Sequence, residues 1–234
     1  MGDGIIEAMT SSGEAVSAAD TPPKKPRRGR PPIIRSNDVV GAALALTQVE
    51  SLSGWSMLDV ARRLNVSEGA VYRYFTRRDL LADAVSSAVL ADIVLLGDEA
   101  DPWQRIEHTI DEAWDRLLRH PGVAARLLEV GFVVPSALRM VNHLLGALLD
   151  AGLEMKDAAN SASIIVSWLA AAVQLRYRFE LGLPTDADSS DVEQIANFPH
   201  LANVTASTDD SSASEGQHLE DLRIVISGIR SRQG

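Results

Sequence analysis

The chain has 234 residues, a formal net charge of −10 and no cysteine. That length holds one or two small domains with a sizeable core, and the missing thiols exclude a disulfide framework and a thiolate metal site. No apolar run has the length of a membrane span and the acidic, Ser/Ala-rich start lacks a secretory pattern, so a cytoplasmic protein is expected. The charge is uneven: residues 1–23 carry −4, residues 24–81 carry +6 and residues 82–234 carry −12. A basic segment between acidic ones suits a chain that meets a polyanion locally, whatever its overall pI.

Residues 1–35 hold few large apolar groups and read as a disordered tail. Its end, Lys24 to Arg35, has six positive charges and no negative one. Pro and Gly keep it out of a helix, leaving an extended strand of cations. Arg28-Gly29-Arg30-Pro31 resembles the core of an AT-hook, which lays Arg side chains into a narrow A·T-rich minor groove. Arg27, Arg28 and Arg30 are therefore candidate DNA contacts.

A first helix is expected over 37–50. Residues 56–75 then read as helix, tight turn, helix. Ser56 is a good N-cap, with Asp59 three residues on to reach back. Met57, Val60, Ala61 and Leu64 fall on one face of the helix they open. Asn65 stands at the turn, where it tolerates left-handed backbone angles. Ser67 caps the next helix and Glu68 brings negative charge to its first turn. Gly69 and Ala70 allow close approach of backbone to a surface, Val71 and Phe75 face inward, and Tyr72, Arg73 and Tyr74 are left for a partner. This is the pattern of a helix-turn-helix, whose second helix lies in the DNA major groove.

Further helices are expected over 77–96, 103–119, 123–129, 136–151, 157–181 and 217–231, with 182–216 a flexible Ser/Asp/Thr-rich loop. The helix at 157–181 is apolar almost all round and so buried on more than one side. With no strand signal, the fold is all-α with about nine helices: a three-helix DNA-binding domain at 36–82, followed by a helical bundle at 83–234. The last two helices carry more apolar surface than one domain of this size uses, and a two-fold dimer would bury it.

The block Val66-Ser67-x-Gly69-Ala70-Val71-Tyr72-Arg73-Tyr74-Phe75-x-x-Arg78-x-x-Leu81, with Asn37 to Leu46 before it and Asp79 to Val85 after it, resembles the N-terminal domain of TetR-family transcriptional regulators. The family's usual turn Gly is Asn65 here. Its usual Lys at the start of the fourth helix is Arg78, which keeps a phosphate-binding charge, and its usual Gly after the first helix is Ser51. The resemblance implies a homodimer on a palindromic operator, joined through the last two helices; Tyr177, Leu181, Leu222, Val225, Ile226 and Ile229 are the candidates. It also implies an effector pocket in the second domain. Trp114, Phe132, Met140 and Trp168 supply apolar walls, and Asn142 and Gln174 supply polar groups, for a small apolar or aromatic molecule.

The leading expectation is a ligand-released repressor. The alternative is an architectural binder of A·T-rich DNA, driven by the arm and without ligand control. An enzyme is not expected: the five His residues fall in no ligand-like spacing, His108 and His143 lie off the apolar stripes as surface groups, and no Gly-rich phosphate loop is present. No metal or cofactor is called for.

Overall fold

The computed structural model describes residues 34–180 and 217–231. Arg27, Arg28, Arg30, Leu181 and the 182–216 segment lie outside them. Among the described residues the fold is all-helical: α1 (Ser36–Glu50), α2 (Met57–Arg63), α3 (Glu68–Tyr72), α4 (Arg78–Ala91), α5 (Pro102–Leu118), α6 (Val123–Val130), α7 (Pro135–Asp150), α8 (Met155–Glu180) and α9 (Gln217–Arg230).

Local chemistry sets most boundaries. Asp101 accepts hydrogen bonds from the Trp103 and Gln104 amides at 3.0 and 3.1 Å, and Pro102 follows as the first helical residue of α5, where its missing N–H costs nothing. Gly122 and Gly131, both left-handed, bracket α6. The fourth helix ends at Ala91 rather than near residue 96. Two arginines from other helices satisfy the carbonyls exposed there: Arg139 donates to Ala91 at 2.6 Å and Arg116 to Asp92 at 2.7 Å. A helix end leaves its last carbonyls without internal partners, and these cations supply them.

Burial of apolar side chains drives the assembly. In the C-terminal part, Ile106, Ile110 and Leu117 of α5 interlock with Met140, Leu144 and Leu148 of α7 and Ile165 and Leu169 of α8, all essentially inaccessible. In the N-terminal part, Trp55 is buried and donates its indole N–H to Thr47 at 2.9 Å, while Thr47 donates back to the Ala43 carbonyl. The α4 helix belongs to both parts, packing on α1 and on α5, α6 and α7. By length and composition α8 could cross a membrane, which corrects the expectation that no run reaches that length. Its Ala158, Ala162, Ile165, Leu169 and Val173 are instead buried in the chain's own core.

Candidate nucleic-acid interface

The α2–turn–α3 unit is fixed from both ends. The Ser56 amide donates to the Asp59 carboxylate at 2.9 Å, and the Asp59 amide returns a bond to the Ser56 hydroxyl at 3.3 Å. The Ser56 hydroxyl also donates to the Asp59 carboxylate. This bond first, then the Ser56 amide, holds the carboxyl below its ordinary value, with Arg62, 3.2 Å away, adding to the effect. Asn65 takes the left-handed conformation, φ 54°. The chain then turns with the Val66 amide bonded to the Ala61 carbonyl at 3.0 Å.

This geometry seats α3 by Val71 and Ala70, both buried. Ser67, Glu68, Gly69, Tyr72, Arg73 and Tyr74 stand exposed on one side of it. The Ser67 hydroxyl makes no capping bond, and a side chain added at Gly69 would meet nothing within 4 Å. The edge is therefore open to a partner. Arg63 and Arg77, exposed beside it, add cations that the sequence reading did not assign to DNA.

Three of the expected DNA-contact residues also have partners or places within the fold. Ala70 faces the core, because the helix rotation that buries Val71 carries its neighbour inward. Arg78 turns away from solvent: its Nε donates to the Trp55 carbonyl at 3.0 Å, a terminal nitrogen donates to the Leu52 carbonyl, and the guanidinium lies 4.5 Å from the Trp55 ring centroid. It braces the α1–α2 loop, which carries Ser51 at φ 68°. Tyr74 keeps an exposed ring, but its hydroxyl donates to the Ile34 carbonyl. It thus fastens the point where the chain enters α1 to the end of the recognition segment.

The second half of the chain holds a cleft of about 340 Å³ between α6, α7 and α8. Leu128, Phe132, Val141, Leu145 and Val166 line it, with the Ser163 and Ser167 hydroxyls on the α8 wall. Of the expected effector residues only Phe132 is there, at φ 61°, an uncommon angle for an aromatic residue. Trp114 instead stacks on His218 with centroids 4.4 Å apart, which docks α9, and His218 meets Asp111 at 2.9 Å. Met140 is sealed in the α5–α7–α8 core, Asn142 is exposed, and Trp168 and Gln174 are half-buried away from the cleft. The interior that these residues were expected to line is filled by the aliphatic side chains named above.

The dimer residues are also redistributed. Leu222, Ile226 and Ile229 are buried within the chain itself, so the apolar stripe of α9 is intramolecular. Tyr177 and Val225 are half-buried. The apolar side chains left open on these two helices include Ile164 and Leu175 of α8 and Ile224 of α9.

The α6 helix joins the cleft to the helix-turn-helix half. Its Arg126 donates to Asp83 of α4 at 2.8 Å, and Asp83 holds that guanidinium above its ordinary pKa. Just before it, the Pro121 carbonyl accepts from the Leu52 amide at 2.7 Å, and His120 meets Gln48 of α1 at 3.0 Å.

An open helix-turn-helix edge on a fold that is all-helical among the described residues is the arrangement of a DNA-binding protein of the regulator class. Residues 39–85 match the family model described as bacterial regulatory proteins, tetR family, and residues 98–233 match that of the tetracyclin repressor-like C-terminal domain. The chain belongs to the TetR family and is a DNA-binding transcriptional regulator. An HTH-type transcriptional regulator of Saccharopolyspora erythraea is 24% identical over 202 residues, covering 84% of this chain and 85% of that one. Among solved structures, the Streptomyces coelicolor TetR family protein ActR in complex with (S)-DNPA superposes with a TM-score of 0.68 at 20% identity, covering 86% of this chain and all of that one. BioQ with its double-stranded DNA operator gives 0.56 at 23% identity, over 64% of this chain and 94% of that one. At these identities the two structures speak to the fold.

Proposed function

We propose that this regulator is a homodimeric, ligand-released repressor of a palindromic operator. The observation that carries the reading is the exposed edge Ser67, Glu68, Gly69, Tyr72 and Arg73, held by a buried Val71 and flanked by unburied arginines. Side chains on such an edge read bases, while Arg63, Arg73 and Arg77 neutralise phosphates. The basic arm that precedes α1 in the sequence adds minor-groove contacts through Arg27, Arg28 and Arg30. That Arg-Gly-Arg arm also favours the second reading, an architectural binder of A·T-rich DNA.

Dimerisation uses the outer faces of α8 and α9, through Ile164, Leu175 and Ile224, with the half-buried Tyr177 and Val225 beside them; Leu181 is kept as a candidate from the sequence. A small apolar or aromatic effector fits the α6–α7–α8 cleft, whose volume is in the range of small-molecule sites. ActR was solved with (S)-DNPA and with actinorhodin, which supports small-molecule control here. Occupancy of the cleft displaces α6, and with it the Arg126–Asp83 link to α4. It releases DNA only if the effector binds the displaced state more tightly.

Sedimentation of the full-length chain tests the dimer. Wild type should sediment as a dimer and the Leu175→Glu, Ile224→Glu double variant as a folded monomer. An unaltered dimer in the double variant would remove these faces from the interface.

A further inference from the structure

The α5 and α7 helices run antiparallel, and Arg105 of α5 is the most deeply buried cation of their seam, its side chain 4% exposed. One terminal nitrogen, Nη1, donates to Asp150 at the end of α7 at 2.6 Å. The other, Nη2, meets Asp98, in the α4–α5 loop, at 2.9 Å. The Nε–H is buried and has no hydrogen-bond partner among the described residues.

Nε–H and Nη2 point the same way and form the edge of a guanidinium that grips a carboxylate with two parallel bonds. Here Asp98 takes only half of that edge, and its own side chain is 90% exposed. Gly146 of α7 faces the Nη2 nitrogen: a Cβ added there would stand 3.8 Å from it, in ordinary van der Waals contact, so glycine leaves that nitrogen one side chain's room on the α7 side. His108, one turn along α5 from Arg105, and His143, one turn before Gly146, are half-buried rather than surface groups. Their Nε2 atoms, at the ring tips, are buried and unpartnered. Three buried nitrogens without partners on one seam are unusual, because buried polar groups are normally satisfied.

We propose that Arg105, His108 and His143 form a binding site for the carboxylate of a small organic acid, which takes the Nε–Nη2 edge of Arg105 and displaces Asp98. This site lies on the opposite face of α7 from the cleft and stands whether or not the cleft takes an effector. Donors fit the occupant: Arg105 donates from Nε, and each imidazole offers Nε2 as donor in the matching tautomer. Freed Asp98 would release the α4–α5 loop. The charged and titratable groups around His143 are Arg105, Asp98, Arg139 and His108, with Asp150 beyond Arg105. A carboxylate on Arg105 offsets its repulsion of a protonated His143, so binding should be tighter on the acid side of neutrality.

The test is titration of the full-length protein with benzoate, followed by the histidine ring signals in NMR. His108→Gln and His143→Gln variants assign the two signals. Benzoate should shift both saturably, and benzamide, of the same shape without the charge, should not. Asp98→Ala, at an exposed position, should tighten benzoate by about two- to fivefold, the worth of a competing exposed ion pair. Arg105→Lys, which lacks the two-donor edge, should abolish the shifts, with far-UV circular dichroism reporting that the variant is folded. Unmoved His108 and His143 signals, equal shifts with benzamide, or an affinity that Asp98→Ala leaves unchanged or weaker would each overturn the proposal.

Discussion

Replacing Arg78 separates two roles that its charge would serve equally well. In the structure it gives hydrogen bonds to the Trp55 and Leu52 carbonyls and lies over the Trp55 indole. Hydrogen bonds from a charged donor contribute about 1.5–3 kcal/mol each, and a cation over an indole adds about 0.5–1 kcal/mol. Arg78 is half-buried and the two carbonyls regain water once it is gone, so the lower part of each range applies. Arg78→Ala should therefore cost about 3.5–4.5 kcal/mol, a large share of a usual stability of about 5–15 kcal/mol. Arg78→Lys keeps the charge but not the planar fork and should recover only about half of that loss. The assay is urea unfolding at fixed protomer concentration, since a dimer's stability depends on it. It is paired with the salt dependence of DNA affinity at a temperature where the variants remain folded. The brace predicts lower stability and an unchanged salt slope. Stability within about 0.5 kcal/mol of wild type, with a slope reduced by about one unit, would refute it and return Arg78 to the phosphates.

Other substitutions probe the turn, the seam and the arm. Asn65→Gly should leave thermal unfolding nearly unchanged, whereas Asn65→Val should cost about 1–2 kcal/mol, because the left-handed angle crowds a branched Cβ. His143 is held below its ordinary value of 6.5, chiefly by burial and then by Arg105. The unfolded chain therefore takes up this proton first as pH falls, so the stability is present above pH 6.5 and declines below it. Thermal scans on either side of that pH should show the decline in wild type and a smaller one in His143→Gln. Arg28→Ala with Arg30→Ala should weaken DNA binding and lower the salt slope by roughly one unit per lost phosphate contact, with sequence preference retained. Loss of all sequence preference in that variant would favour the architectural reading.

What could be read from the sequence follows from where each signal resides. Ser56 with Asp59, and Asn65 at the turn, are local signals, because capping and left-handed angles depend on a few neighbouring residues. The same holds for the exposure of Ser67, Gly69, Tyr72 and Arg73 once Val71 is known to face inward. The stripe Leu222, Ile226, Ile229 was equally visible, but periodicity says that a face is buried and not which chain buries it; here α5 and α8 of the same chain do. Trp114 reads as a pocket wall because it is large and apolar, yet its face is used by His218, more than a hundred residues away. Arg78 shows a related ambiguity: a cation beside the recognition helix suits phosphate and carbonyl alike, and the sequence does not reveal that Trp55 lies under it. The cleft depends on the angle between α6 and α7, which no residue pattern specifies.

The central claim is that the exposed α3 edge reads a two-fold operator. The measurement that bears on it most directly is selection of bound duplexes from a random DNA pool by the purified full-length protein at near-physiological salt. The account predicts an inverted repeat whose consensus changes in the Tyr72→Ala and Arg73→Ala variants. Enrichment of A·T-rich DNA without symmetry, or a consensus indifferent to both substitutions, would contradict it.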